Sequence, residues 1–162
     1  MARTQVNSSL ALTARLLMAL IIACISSHGL AEERTNLFND PFLQVTNGIA
    51  NCPVPRGPEI TRGVMLAQSH VRAERGATCY RMGHCRLPNS YLYDKEIIPR
   101  VKKAIDADGR YAQTSIWVEG RRRWVWLKGC VRREGEAKEL EKLVRSIDDV
   151  ELVINELVAK EK

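Results

Sequence analysis

The chain has 162 residues and a formal net charge of +6, and this length limits it to one domain or two small ones. A positive charge of this size indicates solubility and weak attraction to anionic surfaces. It says nothing about the fold.

Residues 1–31 have the layout of a signal peptide. Two arginines and the short apolar run 16–25 lead to small residues at Gly29 and Ala31. The apolar run is shorter than the roughly 20 residues that a transmembrane helix needs, so we predict cleavage before Glu32. Cleavage would remove two of the 25 basic residues and none of the 19 acidic ones, and the formal charge would fall to +4.

The same segment allows a second interpretation. The sequence Ile-Ile-Ala-Cys that ends at Cys24 fits a loose lipobox, in which Cys24 would become a lipidated N-terminus. Lipid on Cys24 would tether the protein to a membrane; the alternative is that Cys24 is an ordinary apolar residue of the signal peptide.

Residues 32–93 are predicted to form an N-terminal extension. Residues 32–58 are rich in Asn, Pro, Gly and Asp, which predicts turns and little regular structure. A helix is predicted from Glu59 to Arg75 and ended by Gly76, because apolar residues recur there at helical spacing. The extension is too small to build a large core, so we interpret it as a lid on the rest of the chain; the alternative is a separate recognition module.

Four cysteines remain after cleavage, namely Cys52, Cys79, Cys85 and Cys130. An even number of cysteines in an exported protein predicts two disulfides, for which three connectivities are open. Zinc is the competing hypothesis because His84 is adjacent to Cys85, but the spacing to Cys79 does not match the usual knuckle. Any disulfide of Cys130 would tie the extension to the C-terminal part.

The C-terminal part is predicted to run helix, strand, strand, helix, strand. The first helix has Ile98, Val101 and Ile105 on one side, and the last strand covers 150–158. Alternation along the hairpin at 115–131 predicts two apolar faces. One face would hold Ile116, Val118, Val125, Leu127 and Val131, and the other Trp117, Trp124, Trp126 and Cys130. We expect the domain's own helices on the first face and the N-terminal extension on the second, with Trp124 and Trp126 as core beneath it.

This pattern resembles the BON domain. The resemblance rests on Ile98-Pro-Arg-Val-Lys-Lys-Ala-Ile105, on Val125-Trp-Leu-Lys-Gly129 and on Val150-Glu-Leu-Val-Ile-Asn-Glu-Leu157. One departure is Asp149, where the family usually has Gly. The resemblance implies an α+β fold with a single αββαβ domain over 94–162. It also implies a bacterial envelope protein that contacts phospholipid.

No motif for catalysis or for a cofactor is recognisable. The serines lack a nucleophile elbow, and no Gly-rich phosphate loop is present. We therefore predict a protein that is not an enzyme and holds neither a cofactor nor a metal. Two arginine runs flank the second strand, and on the simplest interpretation they are a solvated hairpin tip and strand end that discourage edge pairing. On the functional interpretation they form the binding surface for anionic lipid or a protein partner: Arg121, Arg122, Arg123, Arg132 and Arg133.

The signal-peptide layout and what the BON resemblance implies together predict a periplasmic protein that binds phospholipid or another envelope component. The alternative is an interaction subunit of an envelope assembly, in which the same arginines bind protein. Nucleic acid is not expected as a partner, because an exported protein seldom meets it and the chain lacks a Gly-x-x-Gly clamp.

Overall fold

A four-stranded mixed sheet organises residues 32–160, the part of the chain that this computed structural model describes. The predicted signal peptide and Cys24 lie outside the described residues. The elements in chain order are β1 (Phe42–Gln44), α1 (Arg62–Arg81), a 3₁₀ helix (Ser90–Tyr93), α2 (Asp94–Asp108), β2 (Ser115–Arg121), β3 (Trp124–Val131), α3 (Glu134–Arg145) and β4 (Leu152–Ala159). The predicted α+β class is confirmed.

The strands lie in the order β1-β2-β3-β4, with β1–β2 and β2–β3 antiparallel and β3–β4 parallel. The prediction of little regular structure over 32–58 missed β1. In this strand Phe42 pairs with Glu119 and Gln44 with Trp117. Three residues are too few to show alternation, so β1 owes its conformation to the edge of β2 rather than to its own sequence.

The hydrophobic core lies on one face of the sheet. Ile116, Val118, Val125 and Leu127 are completely buried there, against apolar residues of α2 and α3. Burying each such side chain contributes roughly 1.5–3 kcal/mol. The amide of Asn155 in β4 donates to the carbonyl of Ala137 at 2.9 Å and holds α3 on this face. The predicted composition of this face is confirmed.

The opposite face, here called the tryptophan face, is not uniformly apolar, and that prediction was wrong. Glu119 is 1% exposed between Lys128 Nζ at 2.7 Å and Arg121 Nη2 at 2.6 Å. Trp117 and Cys130 are buried beside this ion cluster. The tryptophans and Cys130 predict an apolar face. Glu119, Arg121 and Lys128 point to the same face, and they are accommodated there because their charges neutralise one another.

Helix α1 is longer than predicted. It begins after Thr61, whose hydroxyl caps the Val64 amide, and it continues past Gly76 to Arg81. Gly76 is the one buried residue of this helix, and a Cβ there would lie 2.3 Å from the Asn89 side chain. Gly76 therefore allows close packing of the helix on the segment before α2 and does not end it.

Both predicted disulfides are present. Cys52 is bonded to Cys130 and Cys79 to Cys85, which resolves the three open connectivities. The first bond ties the extension to β3, as expected for Cys130. All four sulfurs are thereby oxidised, so none of them is a thiolate ligand for zinc.

Candidate functional site

A groove of about 320 Å³ lies between α1 and the tryptophan face at the hairpin end of the sheet. We call it the arginine groove. Four of its nine lining residues are arginines, and α1 and the hairpin contribute most of its walls. The lining residues are Gln68, Val71, Arg72, Arg75, Tyr91, Arg121, Arg122, Trp124 and Trp126.

The turn between β2 and β3 forms one end of the groove. Its two residues, Arg122 and Arg123, have φ angles of 58° and 66°, as a tight two-residue hairpin turn requires. Neither is a glycine, so the conformation needs support from elsewhere. The carboxylate of Asp94 supplies it by accepting the amide N–H groups of Arg122 at 2.7 Å and Arg123 at 2.8 Å.

Asp94 is itself 1% exposed. Burial raises the pKa of its carboxyl to about 6, and the two backbone hydrogen bonds oppose this shift without cancelling it. The turn that positions Arg122 thus rests on a buried carboxylate at the start of α2.

Arg72 fixes α1 to the rest of the molecule. Its guanidinium donates to Asp40 Oδ2 at 2.8 Å and stacks between the rings of Phe38 and Tyr91, whose centroids are 3.8 and 3.9 Å from its Cζ. Asp40 is buried, and its Oδ2 also lies 3.7 Å from Nε of Arg121. A hydrogen-bonded and stacked arginine of this kind is a structural anchor, because its charge is already neutralised.

Arg121 is also committed to internal contacts. It bonds Glu119 at 2.6 Å, and its guanidinium lies 5.0 Å from the ring of Trp126. Two of the four groove arginines, Arg72 and Arg121, are therefore paired with buried carboxylates.

The other two groove arginines have no such partner. Among residues 32–160, neither Arg75 nor Arg122 forms an ion pair, and Arg122 lies over the ring of Trp124 at 4.6 Å. The indole Nε1 of Trp124 is buried and has no hydrogen-bond partner in this part of the chain. This indole N–H is closed off from the groove, so what the groove presents is the positive charge of Arg75 and Arg122, which suits an anionic ligand.

The five arginines predicted to form the binding surface do not lie together. Arg132 and Arg133 follow the last residue of β3, about 26 Å from the hairpin turn for a strand of eight residues. Both approach Glu136, with Arg133 Nη2 3.7 Å from its Oε1.

The expectation that the turn arginines are solvated was wrong for Arg123. Its Nε donates to the carbonyl of Asp149 at 2.8 Å, and its Nη1 lies 3.3 Å from Sγ of Cys85. Only 20% of the Arg123 side chain is exposed. Arg123 therefore packs the Cys79–Cys85 loop against the turn before β4.

The predicted burial of the tryptophans is only partly correct. Trp117 is buried, but Trp124 and Trp126 are half-buried and line the arginine groove. Arg72 of α1 is joined to the hairpin only through Asp40, which also approaches Arg121, and the arginine groove lies between the helix and the hairpin. The extension therefore covers the tryptophan face incompletely.

Arg75 was missed by reasoning from sequence. A signal was present, since Gln68, Val71, Arg72 and Arg75 are spaced i, i+3, i+4 and i+7 and thus share one face of α1. The helix prediction rests on apolar spacing, with charged residues clustered late in the helix, and it does not single out this mixed face.

Residues 93–161 match the family model of the BON domain. The match begins at the end of the 3₁₀ helix and leaves α1, β1 and both cysteines of the short loop outside. No curated protein and no solved structure matches the chain. Within residues 32–160, every helix is too short or too polar to cross a membrane.

Proposed function

Because residues 93–161 form a BON domain, we propose that the protein is a non-enzymatic envelope protein that binds anionic phospholipid through the arginine groove. The proposal includes export to the periplasm, for which the signal-peptide layout of residues 1–31 is the support. BON domains are associated with phospholipid or other envelope components, and the groove supplies chemistry that fits the former.

The observation that carries the proposal is the pair of uncompensated arginines beside two half-buried tryptophans. Arg75 and Arg122 have no carboxylate partner within residues 32–160, whereas Arg72 and Arg121 at the same groove do. The charges of Arg72 and Arg121 are neutralised by carboxylates within the molecule. Those of Arg75 and Arg122 remain available to a ligand.

The chemistry of a phospholipid headgroup matches this arrangement. A phosphodiester oxygen only accepts hydrogen bonds, and Arg75 and Arg122 in the groove offer guanidinium donors. Tryptophan favours the boundary between headgroups and acyl chains, where Trp124 and Trp126 would lie beside the lipid. Each basic residue near an anionic bilayer contributes about 1 kcal/mol, and this contribution falls off within a Debye length.

Vesicle flotation tests the proposal. The protein should float with vesicles of phosphatidylglycerol and phosphatidylcholine at low salt, and remain behind with phosphatidylcholine alone or at high salt. The double variant Arg75→Gln, Arg122→Gln should lose about 2 kcal/mol of binding, roughly thirtyfold. The double variant Arg133→Gln, Lys160→Gln is the matched control, because it removes the same number of charges from exposed residues at the far end of the sheet.

An equal loss of binding in the control double variant and in the groove variant would assign the attraction to overall charge and not to the groove. No flotation of the wild-type protein at low salt would refute the lipid proposal altogether.

A second candidate function is binding to a protein of an envelope assembly. Helix α1 favours it, because Leu66 is 63% exposed and Met82, just past its end, is 62% exposed. Exposed large apolar side chains on one helix suit a protein interface. In that case Leu66→Ser should abolish co-purification of an envelope partner while vesicle binding stays unchanged.

A further inference from the structure

Strand β4 is an open edge of the sheet. It has eight residues, Leu152–Ala159, and no strand of residues 32–160 pairs with its outer side. The opposite edge is β1, with only three residues. The sheet formed by the described residues therefore has one long unpaired edge.

This edge lacks the features by which proteins usually prevent edge pairing. Residues 152–159 contain no proline and no lysine, and Glu156 is their only charged residue. Val158 is 56% exposed on the tryptophan side of the strand. A long, apolar and regular edge of this kind is a template for another strand.

The hydrogen bonds show which backbone groups face outward. The Lys160 amide donates to the carbonyl of Val131 at 2.8 Å, so even-numbered residues of β4 direct their backbone groups toward β3. Odd-numbered residues direct theirs to the open edge. In agreement, the Leu157 amide does not donate to the backbone of β3. It donates instead to Oδ1 of the nearby Asn155 side chain at 3.2 Å.

One antiparallel register of this edge is self-complementary. With Asn155 on the two-fold axis, Val153 lies opposite the partner's Leu157, and Leu152 lies opposite the partner's Val158. Apolar residues then meet on both faces, and the outward odd-numbered backbone groups meet as hydrogen-bonded pairs. The next register on the C-terminal side places the two Glu156 side chains opposite each other, which is unfavourable.

We propose that two copies of this protein form a dimer in which β4 pairs antiparallel with β4 of the second copy, centred on Asn155. The result is one continuous eight-stranded sheet. The Leu157 amide exchanges its side-chain acceptor for the carbonyl of the partner's Val153. Asn155 keeps its bond to Ala137 on the helix face.

The symmetry has a functional consequence. The axis of an antiparallel strand pair is perpendicular to the sheet, so both tryptophan faces lie on the same side of the dimer. Both arginine grooves then face one surface and can engage it together. This consequence alone rests on the proposed lipid binding, and it predicts avidity on vesicles that a monomer lacks.

Light scattering during size-exclusion chromatography, or sedimentation equilibrium, tests the dimer without any lipid. The wild-type protein should have twice the mass of one chain, and Val158→Lys should have the mass of a monomer. Leu66→Lys is the matched control, because it places the same charge at an exposed apolar residue far from β4, and it should stay dimeric. Unchanged thermal unfolding of the separated Val158→Lys monomer would show that it remains folded.

A cysteine-mixing experiment tests the register. Ile154 and the partner's Glu156 form a non-hydrogen-bonded pair, the geometry that brings side chains closest. A mixture of Ile154→Cys and Glu156→Cys proteins should form a covalent dimer under mild oxidation, and each variant alone should form much less.

A monomeric wild-type protein at every concentration overturns the dimer, whether or not the protein binds vesicles. A dimer that survives Val158→Lys assigns the contact to another surface and also overturns it. If the wild-type protein is a dimer but does not bind anionic vesicles, only the proposed function is refuted and the dimer stands.

Discussion

The two faces of the sheet are stabilised in different ways. The helix face is a continuous apolar layer whose residues are buried by elements of the same αββαβ unit. The tryptophan face combines indoles with a buried ion cluster around Glu119, and its cover comes from the N-terminal extension. Alternation in a strand assigns side chains to faces, but it does not reveal what covers a face or where the cover stops.

The strongest test of this difference is removal of the bond that holds the extension on the tryptophan face. Replacing Cys52 and Cys130 together with Ser should lower the free energy of unfolding by about 4 kcal/mol, because the bond closes a loop of 78 residues. Replacing Cys79 and Cys85 should cost only about 2 kcal/mol for a separation of 6. Urea unfolding under non-reducing conditions measures both.

Equal losses in the two double variants would contradict the view that the longer bond secures the cover. Greater exposure of tryptophan fluorescence to quenchers is expected only for the variant that lacks the Cys52–Cys130 bond.

The buried charge of the tryptophan face is the next most sensitive feature. Glu119→Gln leaves Arg121 and Lys128 without their shared carboxylate, and breaking a buried ion pair in this way costs roughly 3 kcal/mol. Glu156→Gln is the control, since Glu156 is exposed on the same face and should change stability by about 0.5 kcal/mol or less. Chemical denaturation at neutral pH compares them. A Glu119→Gln protein as stable as the wild type would mean that the ion cluster does not stabilise the fold.

The helix face and the element order could be predicted from sequence because period-two and period-3.6 patterns are local. Ile116, Val118 and the helix residues that cover them follow directly from these patterns. The arginine groove could not be predicted in the same way. It depends on Asp40 meeting Arg72, 32 residues later in the chain, and Arg121 after another 49.

The missed elements have the same origin. Strand β1 is set by pairing with β2, and Gly76 is tolerated in α1 because Asn89 packs against it. Both are long-range effects that override the local preference of a few residues. The same holds for Arg123. Its position in an arginine run predicts exposure to solvent, but contacts with Asp149 and Cys85 bury most of its side chain.

Asp94 lies where the helix face meets the arginine turn, and its titration should be visible in the pH dependence of stability. Its carboxyl has an ordinary pKa of 3.8, raised to about 6 mainly by burial. The folded state therefore holds the proton more tightly than the unfolded state. The resulting stabilisation is fully present below about pH 3.8 and is lost as pH rises through about 6.

The difference between the two values corresponds to about 3 kcal/mol. The Asp94→Asn variant should lack this decline, although it also loses one of the two acceptors for the turn amides. Unfolding free energies of both proteins between pH 3.5 and 7.5, taken as a difference curve, isolate Asp94 from carboxyls such as Glu136, whose pKa is lowered by Arg132 despite its burial. A flat difference curve would contradict the raised pKa.

The smallest change in stability is expected for a substitution in the hairpin turn, and this variant allows binding to be tested without a change in folding. Arg122 has no carboxylate partner among residues 32–160 and its guanidinium lies over the ring of Trp124, so Arg122→Ser should change the free energy of unfolding by only about 0.5 kcal/mol, the loss of one cation–π contact. Arg121→Ser should cost roughly 3 kcal/mol, because it leaves the buried Glu119 with Lys128 as its only cation. Replacing Arg121 together with the two turn arginines would mix these effects, and a loss of vesicle binding would then be uninterpretable. Arg122→Ser alone removes a groove charge from a protein of unchanged stability, and a large loss of flotation in that variant would assign the binding to the arginine groove rather than to the fold that carries it.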